Sequence, residues 1–522
     1  MNPRAITLWA ALVGVVSAVV ALAVAEAVAL LVAPSSAPLF AVGSFVIDIV
    51  PPWVKDAAIA LFGTADKVAL LVVLGVVVIA LACAAGIVEY RRPPWGKVIL
   101  LAVIAVALLA VLTRAESTAI WSAPTLAGLL AGGLTLHRVT RRLHRWEESS
   151  PELPLGGPDE TTRGRIDRRG FLTMVVAVAG ASAVVGIGAR MVNASVTAVT
   201  AIREAVTLPK PAVVAPGVPA GAELGLPGLS PVISDNEGFY RIDTAIQVPS
   251  VETADWKLRI TGMVENEIEV TWDELLALPM IETYVTLMCV SNEVGGTLVG
   301  NAKWLGYPIH NLLARAKPLA GADMVLSTSI DGWTAGTPLE VLQDQDRDSI
   351  LAVGMNGEPL PLEHGFPVRM VVPGLYGYVS ATKWVTELRV TRFDDENAYW
   401  TNRGWSALGP VKTSSRIDVP RDGRRITAGT VPIAGVAWAQ HTGIDGVEVR
   451  VDGGPWLAAK LATAISADTW VQWVYEWDAT PGQHEIQARA TDSSGGAQSG
   501  DDSIGVVPNG AEGWHTVSVS VS

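Results

Sequence analysis

The chain has 522 residues, half of them hydrophobic, and its mean hydropathy of +0.37 is high for a soluble protein. Residues 1–190 carry 16 Lys and Arg against 12 Asp and Glu, whereas residues 191–522 carry 22 against 39. The acidic second part argues against nucleic acid as a partner, and two cysteines without a Cys-x-x-Cys spacing argue against a zinc ribbon or an attached c-type haem.

Long apolar runs occupy the first part of the chain. They cover residues 6–33, 68–88, 97–113 and 117–136, and a fifth extends from Phe171 to about Ile187. About 20 apolar residues in a helix are enough to cross a bilayer. Five such runs leave too little polar surface for a set of soluble helices. We therefore predict four transmembrane helices in residues 1–145 and a fifth in residues 146–190.

Basic residues flank the apolar runs on one side of the predicted bundle. They precede the first run, lie between the second and third, and follow the fourth: Arg4; Arg91, Arg92 and Lys97; Arg138, Arg141, Arg142 and Arg145. Because cytoplasmic loops carry the excess of Lys and Arg, this pattern predicts a cytoplasmic amino terminus. The apolar stretch 38–61 is then external, with an interfacial or re-entrant segment as an alternative. A hidden crossing there would reverse the orientation of the later runs.

The fifth run has a distinct beginning. After a polar linker at 146–166, the sequence reads Asp167-Arg168-Arg169-Gly170-Phe171-Leu172, followed by a short run rich in Val, Ala and Gly. This resembles a twin-arginine export signal in an internal position. The alternative is an ordinary basic flank of a membrane helix. Both interpretations place residues from about 191 onward outside the cytoplasmic membrane.

The second part of the chain divides into three segments that differ in composition and in the pattern of their hydrophobic runs. Residues 191–234 are rich in Pro, Ala, Gly and Val and are typical of a linker. Residues 235–400 mix strand-like and helix-like runs, which favours an α+β domain. Residues 401–522 alternate strand-sized runs with turns, such as Asp452-Gly453-Gly454, and predict an immunoglobulin-like β-sandwich of seven strands. The fold class is therefore multi-domain: transmembrane helices, an α+β domain and a β-sandwich.

Cys289 is the one cysteine of the polar second part. A buried core cysteine is a common alternative, because a free thiol packs as a small hydrophobe. A nucleophile and a ligand to a soft metal are the functional alternatives, and a thiolate suits both. The residue alone does not decide among them.

The neighbours of Cys289 resemble a known family. Met288-Cys289-Val290-Ser291-Asn292 resembles the cofactor cysteine segment of the sulfite oxidase family of molybdopterin enzymes. Further resembling elements occur in the family's order at 236–241, 256–262, 275–279, 355–361, 364–369, 371–374, 382–384, 435–438, 451–454 and 489–492. The resemblance covers about 235–522. Its last part resembles the family's immunoglobulin-like dimerisation domain, which implies a homodimer.

The resemblance implies a molybdenum–molybdopterin cofactor, with the Cys289 thiolate as metal ligand and catalytic residue. It implies further cofactor contacts from Tyr240, Arg241, Asp331, His364, Arg369, Ala381, Thr382 and Lys383. Cationic groups suit the buried phosphate of the pterin. Asp331 could instead simply begin a turn, and His364 could be a satisfied surface histidine. The gap between Arg369 and Lys383 is one residue longer than the family pattern, so the matches of Ala381 and Thr382 are the least certain.

The substrate side departs from the family. Sulfite oxidases carry arginines four and five residues after the cysteine, where this chain has Glu293 and Val294. A dianionic substrate would meet a like charge there, so a neutral S-oxide or N-oxide becomes as plausible as sulfite. The implied activity is oxygen-atom transfer to or from a small sulfur or nitrogen oxo-compound.

Electrons would need a separate carrier, because the chain has no haem or iron–sulfur motif. The histidines before residue 190, His137 and His144, both lie in the basic flank and not within an apolar run. The alternative function is a non-enzymatic membrane-anchored surface scaffold that retains the fold. Cys289 with His364, Arg369 and Lys383 favours the enzyme, because a scaffold needs no phosphate site around a thiol.

Overall fold

The computed structural model describes residues 3–33, 36–51, 54, 66–114, 117–148, 173, 180, 194–246 and 248–522. The chain divides into two compact units, the first made of residues 1–198 and 244–248 and the second of residues 199–243 and 249–522. The predicted twin arginines and, apart from residues 173 and 180, the predicted fifth apolar run lie outside the described residues.

The first unit is helical. Its described helices are α1 (Pro3–Val32), α2 (Pro38–Ile49), α3 (Asp66–Arg91), α4 (Trp95–Leu112) and α5 (Ser122–Glu148). Within the described residues, four helices are long and apolar enough to cross a membrane: Pro3–Val32, Val68–Arg91, Trp95–Leu112 and Ala119–Glu148. They coincide with the first four predicted runs. This unit therefore has the length and composition of a membrane-associated bundle.

Helix α2 is the short member of this unit. Its 12 residues rise about 18 Å at 1.5 Å per residue. The hydrocarbon core of a bilayer is about 30 Å thick, so α2 is too short to cross it alone. That length is compatible with the interfacial or re-entrant alternative for this stretch.

Small residues allow α1 and α3 to approach closely. Gly14 of α1 lies against Ala82 and Gly86 of α3, and a side chain at either glycine would overlap the backbone of the other helix. Such contacts are typical of membrane helices, which associate through close packing because lipid offers no hydrophobic driving force between them.

The α+β part of the second unit contains two sheets. One has the strand order β2-β1-β10-β5-β6 and the other the order β3-β4-β7-β8, with β9 paired to β7. The strands are β1 (Lys257–Gly262), β2 (Ile268–Thr271), β3 (Ile281–Met288), β4 (Val299–Pro308), β5 (Met324–Ser329), β6 (Thr334–Pro338), β7 (Ile350–Met355), β8 (Glu358–Pro359), β9 (Arg369–Val371) and β10 (Val385–Thr391).

Local sequence explains these strands and the helices between them. Leu258 and Ile260 alternate with exposed residues along β1, as expected for a strand with one buried face. All six residues of β7 are buried, because it lies between β4 on one side and β8 and β9 on the other. The helices between strands are α7 (Trp272–Leu276), α8 (Ile309–Ala316), α9 (Leu339–Gln343) and α10 (Gly377–Ser380).

A helix lies inside the predicted linker. Helix α6 (Ala194–Ala205) was not predicted, because its sequence of small and polar residues is a weak signal. Val199, together with Ile202 and Val206, packs into the core around Trp304 and Phe366. Arg203 secures the contact by donating to the carbonyl oxygens of Leu360 and Pro359, each at 2.8 Å.

The last part of the chain is a two-sheet sandwich. Its sheets have the orders β11-β13-β17-β16 and β12-β19-β18-β14-β15. The nine strands, of which three have only two residues, are β11 (Ser414–Val419), β12 (Arg425–Ile426), β13 (Gly429–Trp438), β14 (Ile444–Val451), β15 (Leu457–Ala458), β16 (Lys460–Leu461), β17 (Val471–Ala479), β18 (Gly482–Asp492) and β19 (His515–Val521). Seven strands were expected, and two-residue strands leave no recognisable run in the sequence.

Turn and core residues of the sandwich follow the sequence pattern. Asp452 and Gly453 both have positive φ, 53° and 67°, which the tight turn after β14 requires. Trp473 and Trp477 belong to the core between the sheets.

The sandwich bonds directly to strand β3 of the α+β part. The Thr286 N–H donates to the carbonyl of Asp468 at 2.9 Å, and the Thr286 hydroxyl accepts from the Trp470 N–H at 2.8 Å. Gln440 donates to the Thr286 carbonyl at 3.2 Å. The strand that leads to Cys289 is thus held by the sandwich.

Candidate active site

Cys289 directly follows the last residue of β3. Its N–H donates to the Leu298 carbonyl at 2.9 Å, and the Ser291 N–H points at its sulfur with an N···Sγ distance of 3.4 Å. Cys289 is a free cysteine and remains partly accessible. Burial raises the pKa of its thiol, against a lowering effect of the Ser291 N–H and hydroxyl. A thiolate at this place therefore requires a cationic partner.

The loop after Cys289 is held from both ends. The Asn292 side-chain oxygen accepts from the Leu298 N–H at 2.7 Å, which closes the loop on itself. Arg416 of the sandwich donates to the Gly296 carbonyl at 2.7 Å. Gly295, with φ of +76°, lies so close to the His515 imidazole that a side chain would overlap the ring. The sandwich thus fixes the chain immediately after the thiol.

Arg369 is a buried cation without a carboxylate partner among the described residues. Its guanidinium donates to the carbonyls of Met370 and His364, at 3.3 and 3.2 Å, and lies 5.1 Å from the centre of the Trp304 ring. Burial lowers its pKa to about 10. A buried unpaired charge is costly, so this arrangement is suited to an anionic ligand.

The side chains of Lys383 and Arg369 both begin next to Gly365. A side chain on Gly365, whose φ is +113°, would lie 3.0 Å from Cβ of Arg369 and 3.2 Å from Cβ of Lys383. Lys383 donates to Asp243 at 2.6 Å and to the Glu363 carbonyl at 3.0 Å. Burial, opposed by Asp243, lowers its pKa to about 8.

The charges around Asp243 do not balance. Its carboxylate also accepts from Arg241 at 3.0 Å, so one anion faces Arg241 and Lys383 while Arg369 adds a third cation nearby. The cluster therefore has an excess of positive charge. Sequence reasoning missed Asp243, although an acidic residue two positions after the predicted Arg241 was visible.

His364 is buried, which excludes the surface histidine considered from the sequence. Its Nε2 lies 3.1 Å from the Asn236 carbonyl oxygen, which can only accept, so Nε2 carries the hydrogen. Burial, with the charges of Arg369 and Lys383, lowers its pKa to about 4. His364 is therefore neutral and joins the cationic cluster as a fixed ring, packed edge-on to Phe239 at 5.5 Å.

Tyr240 lies next to Phe239, which packs against His364 of the cationic cluster. Its ring stacks on Phe239 with centroids 5.2 Å apart. Burial raises the pKa of its hydroxyl, the Cys289 thiolate raises it further, and Arg369 lowers it. Phe239 packs edge-on to the Trp304 ring over which Arg369 lies, and it also lies against Gly300, which pairs with Leu287 in the strand that leads to Cys289.

The remaining predicted residues divide into two groups. Thr382 is buried beside Arg369's strand, with its carbonyl accepting from Met370 at 2.9 Å, and Ala381 precedes it with its N–H bonded to Gly377. Asp331 accepts from the Trp333 N–H at 3.2 Å in the turn between β5 and β6. The turn considered for Asp331 is thus present, while its contact with a pterin stays a prediction.

Glu293 and Val294 lie in the loop after the thiol. Glu293 is exposed, and Val294 is partly buried against Gly513 of the sandwich, where an added methyl would lie 3.3 Å from its side chain. The positions at which sulfite oxidases carry arginines therefore present one carboxylate and one aliphatic group.

Comparison with known proteins identifies two domains in the second unit. The family model of the oxidoreductase molybdopterin binding domain matches residues 245–400, and that of a bacterial Ig domain matches residues 414–498. Sulfite oxidase of Homo sapiens is 29% identical over 332 residues, 53% of this chain and 60% of that protein. Residues 245–400 are thus a molybdopterin-binding oxidoreductase domain, and the chain is similar to sulfite oxidases over about half of its length.

Other similar proteins cover less of this chain. Sulfite oxidase of Drosophila melanogaster is 28% identical over 50% of this chain and 54% of that protein. NADH nitrate reductase of Spinacia oleracea is 29% identical over 29% of this chain and 19% of that protein. The chain thus spans about three fifths or less of these relatives. The crystal structure of the sulfane dehydrogenase SoxCD from Paracoccus pantotrophus has a TM-score of 0.49 and 24% identity, covering 56% of this chain and 82% of that chain.

The site fits a molybdenum–molybdopterin cofactor. Within the described residues no group of three or more His, Cys, Asp or Glu side chains could hold a metal ion, so a metal at Cys289 would take its other ligands from a cofactor. A single thiolate donor suits a soft metal that brings its own sulfur ligands. The excess of positive charge around Arg369 suits the phosphate of a pterin.

Proposed function

We propose that this chain is a membrane-anchored molybdenum-cofactor oxidoreductase that transfers an oxygen atom to or from a small sulfur or nitrogen oxo-compound. The observation that carries the proposal is the buried guanidinium of Arg369, which has no carboxylate partner among the described residues and which packs through Trp304 and Phe239 against the strand that leads to the free thiol of Cys289. A soft ligand beside an anion-binding cluster is what a metal held by a phosphorylated pterin requires.

Each residue of the site has a proposed task. Cys289 would bind the metal, and Arg369, Lys383 and Arg241 would bind the phosphate. His364 would remain a neutral hydrogen-bonding group because its pKa is lowered to about 4 by burial. Tyr240, Asp331, Ala381 and Thr382 would contact the pterin. When bound, the group would supply oxygen-atom exchange coupled to two electrons, and the protein would orient the substrate.

The substrate is proposed from the charges near the thiol. Glu293 and Val294 offer no cation to a dianion. A carboxylate near the entrance would repel sulfite, a like-charge contact that lowers affinity. A neutral S-oxide or N-oxide meets no such cost. The electrons would come from, or go to, a separate carrier protein or small molecule.

The location is proposed from the first unit and the sequence after it. Four helices long enough to span a bilayer support a multi-pass anchor, and the basic flanks support a cytoplasmic amino terminus. Arg168 and Arg169 support export of a folded domain, which would let the cofactor be bound before crossing. The catalytic domain would then lie on the extracytoplasmic side, and the sandwich would support a homodimer.

The experiment that tests the proposal compares the two cysteines. The full chain is produced in a molybdate-supplied host as wild type, Cys289→Ser and the matched control Cys83→Ser, which alters a cysteine in α3. We expect about one molybdenum per chain and turnover with a panel of oxides in the wild type and control. Cys289→Ser should keep its fold by circular dichroism and lose turnover, because a hydroxyl is a poor substitute for a thiolate.

Two outcomes would contradict the proposal. A folded wild type without molybdenum would favour the alternative, a surface scaffold that retains the fold. A Cys289→Ser variant with wild-type turnover would remove the thiolate from its proposed role as the metal ligand.

A further inference from the structure

One end of the helical unit carries a row of arginines on a single helix face. They are spaced three or four residues apart near the end of α5, and all are exposed: Arg138, Arg141, Arg142 and Arg145. Residues with this spacing are neighbours on the surface of a helix. The other side of the same turns is buried in the bundle and carries Leu136, Val139, Leu143 and Trp146. This row, the arginine stripe, therefore lies on the outer surface of the bundle.

The same face of α5 is apolar before the arginine stripe begins. At intervals of four residues before Arg138 lie Leu134, Leu130 and Leu126, with exposed fractions of 51%, 67% and 42%. Four-residue steps keep side chains on one face, so the face changes from leucine to arginine between residues 134 and 138. The stripe extends about 10 Å along the helix at 1.5 Å per residue, which is enough to cross the roughly 5–8 Å headgroup layer on one side of a bilayer. Leucines followed by arginines match the acyl chains and the headgroup of a phospholipid.

Two carboxylates at this end of the unit are bonded to other groups. Glu89 lies 3.2 Å from the Lys97 ammonium and accepts from the Lys97 backbone N–H at 3.1 Å. Glu147 accepts from the Tyr90 hydroxyl. Neither carboxylate therefore neutralises the arginine stripe.

The charge of the arginine stripe is not balanced by the described residues. Among them, no salt bridge is formed by Arg138, Arg141 or Arg145. Beyond the opposite end of α4, by contrast, Arg114 lies 3.9 Å from the carboxylate of Asp48. An exposed row of cations without carboxylate partners is complementary to an anionic surface.

An exposed tryptophan lies near the first arginine of the stripe. Trp95, at the start of α4, is 60% exposed. Lys97, two residues later, donates to Nδ1 of His137 at 3.2 Å, so this part of α4 lies beside the residue that precedes the stripe. The loop before α4 adds the exposed Arg91 and Arg92. Since tryptophan is enriched where acyl chains meet headgroups, Trp95 indicates that the stripe begins at that level.

We propose that the arginine stripe binds the phosphate groups of anionic phospholipids, such as phosphatidylglycerol, in the leaflet that faces this end of the helices. A guanidinium can donate two hydrogen bonds to one phosphate, and an anionic headgroup brings no choline cation to oppose them. The inference rests on the multi-pass anchor of the proposed function and goes beyond it by assigning a lipid class to the first unit.

The test measures lipid binding to the full chain in detergent. Phosphatidylglycerol and phosphatidylcholine with the same acyl chains are titrated separately, and native mass spectrometry gives the dissociation constant of the first bound lipid. In the wild type we expect phosphatidylglycerol to bind about 25-fold more tightly, because each arginine near an anionic headgroup contributes about fivefold and one headgroup can contact two. Raising the NaCl concentration from about 0.05 to about 0.5 M should reduce this preference, because salt screens exposed charges.

Two triple variants separate the arginine stripe from the total charge of the chain. The first carries glutamine at three stripe positions: Arg138→Gln, Arg141→Gln and Arg145→Gln. The matched control carries glutamine at three exposed positions of the sandwich: Arg421→Gln, Arg424→Gln and Arg425→Gln. We expect the first variant to bind the two lipids with equal affinity and to keep its helix content by circular dichroism. The control should keep the preference of the wild type.

The outcomes separate this inference from the proposed function. Equal affinities of the wild type for the two lipids would overturn it, and this comparison needs no variant to fold. Equal losses of preference in both triple variants would also overturn it, because they would reflect net charge and not the arginine stripe. A chain that alkaline carbonate extracts from membranes would overturn the multi-pass anchor as well. A chain that resists extraction but shows no lipid preference would overturn the lipid site alone.

Discussion

Two buried arginines of the second unit show the difference between a structural contact and a ligand site. Arg416, where the sandwich meets the Cys289 loop, pairs with Asp418 at 2.7 Å and also donates to Gly296 and Ser230. Arg369 has two backbone carbonyls and the face of Trp304, with no carboxylate among the described residues.

The comparison shows that the ligand site is marked by a missing carboxylate partner for the arginine, and not by the burial of the arginine. Both side chains are about equally buried, with 5% of each residue exposed. The charge of Arg416 is neutralised by the chain itself, so it stabilises the fold. No carboxylate of the described residues neutralises Arg369, so we expect its charge to lower the stability of the fold until an anion binds.

Arg369→Met should show the largest effect, and on cofactor content. We expect the variant to fold and to lose most of its molybdenum and pterin, because the phosphate loses its buried cation. The folded protein without cofactor should be as stable as the wild type or more so, since the substitution removes an unpaired charge. Metal analysis and thermal unfolding measure the two quantities. A normal cofactor content in Arg369→Met would show that Arg369 does not bind the cofactor phosphate.

Arg416→Met should act in the opposite way. Its loss removes the cation from the partly buried Asp418, which keeps its bond from the Ser230 N–H, and we expect a cost of about 3 kcal/mol of unfolding free energy, near the lower end for a broken buried pair. Any cofactor that remains should be present in proportion to folded protein. Denaturant unfolding of the cofactor-free chain in detergent measures the difference. A variant as stable as the wild type would show that the Asp418 pair is not structural.

His364, which lies beside Arg369, should make the stability of the fold depend on pH. Burial lowers its pKa from 6.5 to about 4, so the unfolded chain binds more protons than the folded chain between these values. The stability contributed by the neutral ring is present above pH 6.5 and is lost as the pH falls toward 4, by about 3 kcal/mol. We expect His364→Gln to have a flatter stability profile over this range. Identical profiles would contradict the buried neutral ring.

Thr286→Val should give the smallest effect. Valine has the shape of threonine and cannot accept from Trp470, whose buried N–H would lose its partner at a cost of about 1–3 kcal/mol. Thr430→Val, at an exposed hydroxyl bonded to Asp478, is the matched control and should change stability little. Equal losses in both variants would show that the bond from β3 to the sandwich does not stabilise the second unit.

Much of the architecture followed from sequence pattern. The four apolar runs predicted the long helices because hydrophobic length needs no tertiary information. Helix α6 was missed because its signal comes from burial of Val199 against a core formed by distant residues. The two-residue strands were missed because their pairing depends on their neighbours in the sheet.

The sequence by itself determined the chemistry that is present: one thiol in the second part, several cations in family order around it, and the carboxylate of Glu293 in place of an arginine. Residue identity and spacing are enough for that. Only the tertiary structure decided which charges are paired. Asp243 joins Arg241 to Lys383, whereas no carboxylate of the described residues pairs with Arg369. Pairing depends on distances between residues far apart in the chain, which no local pattern encodes.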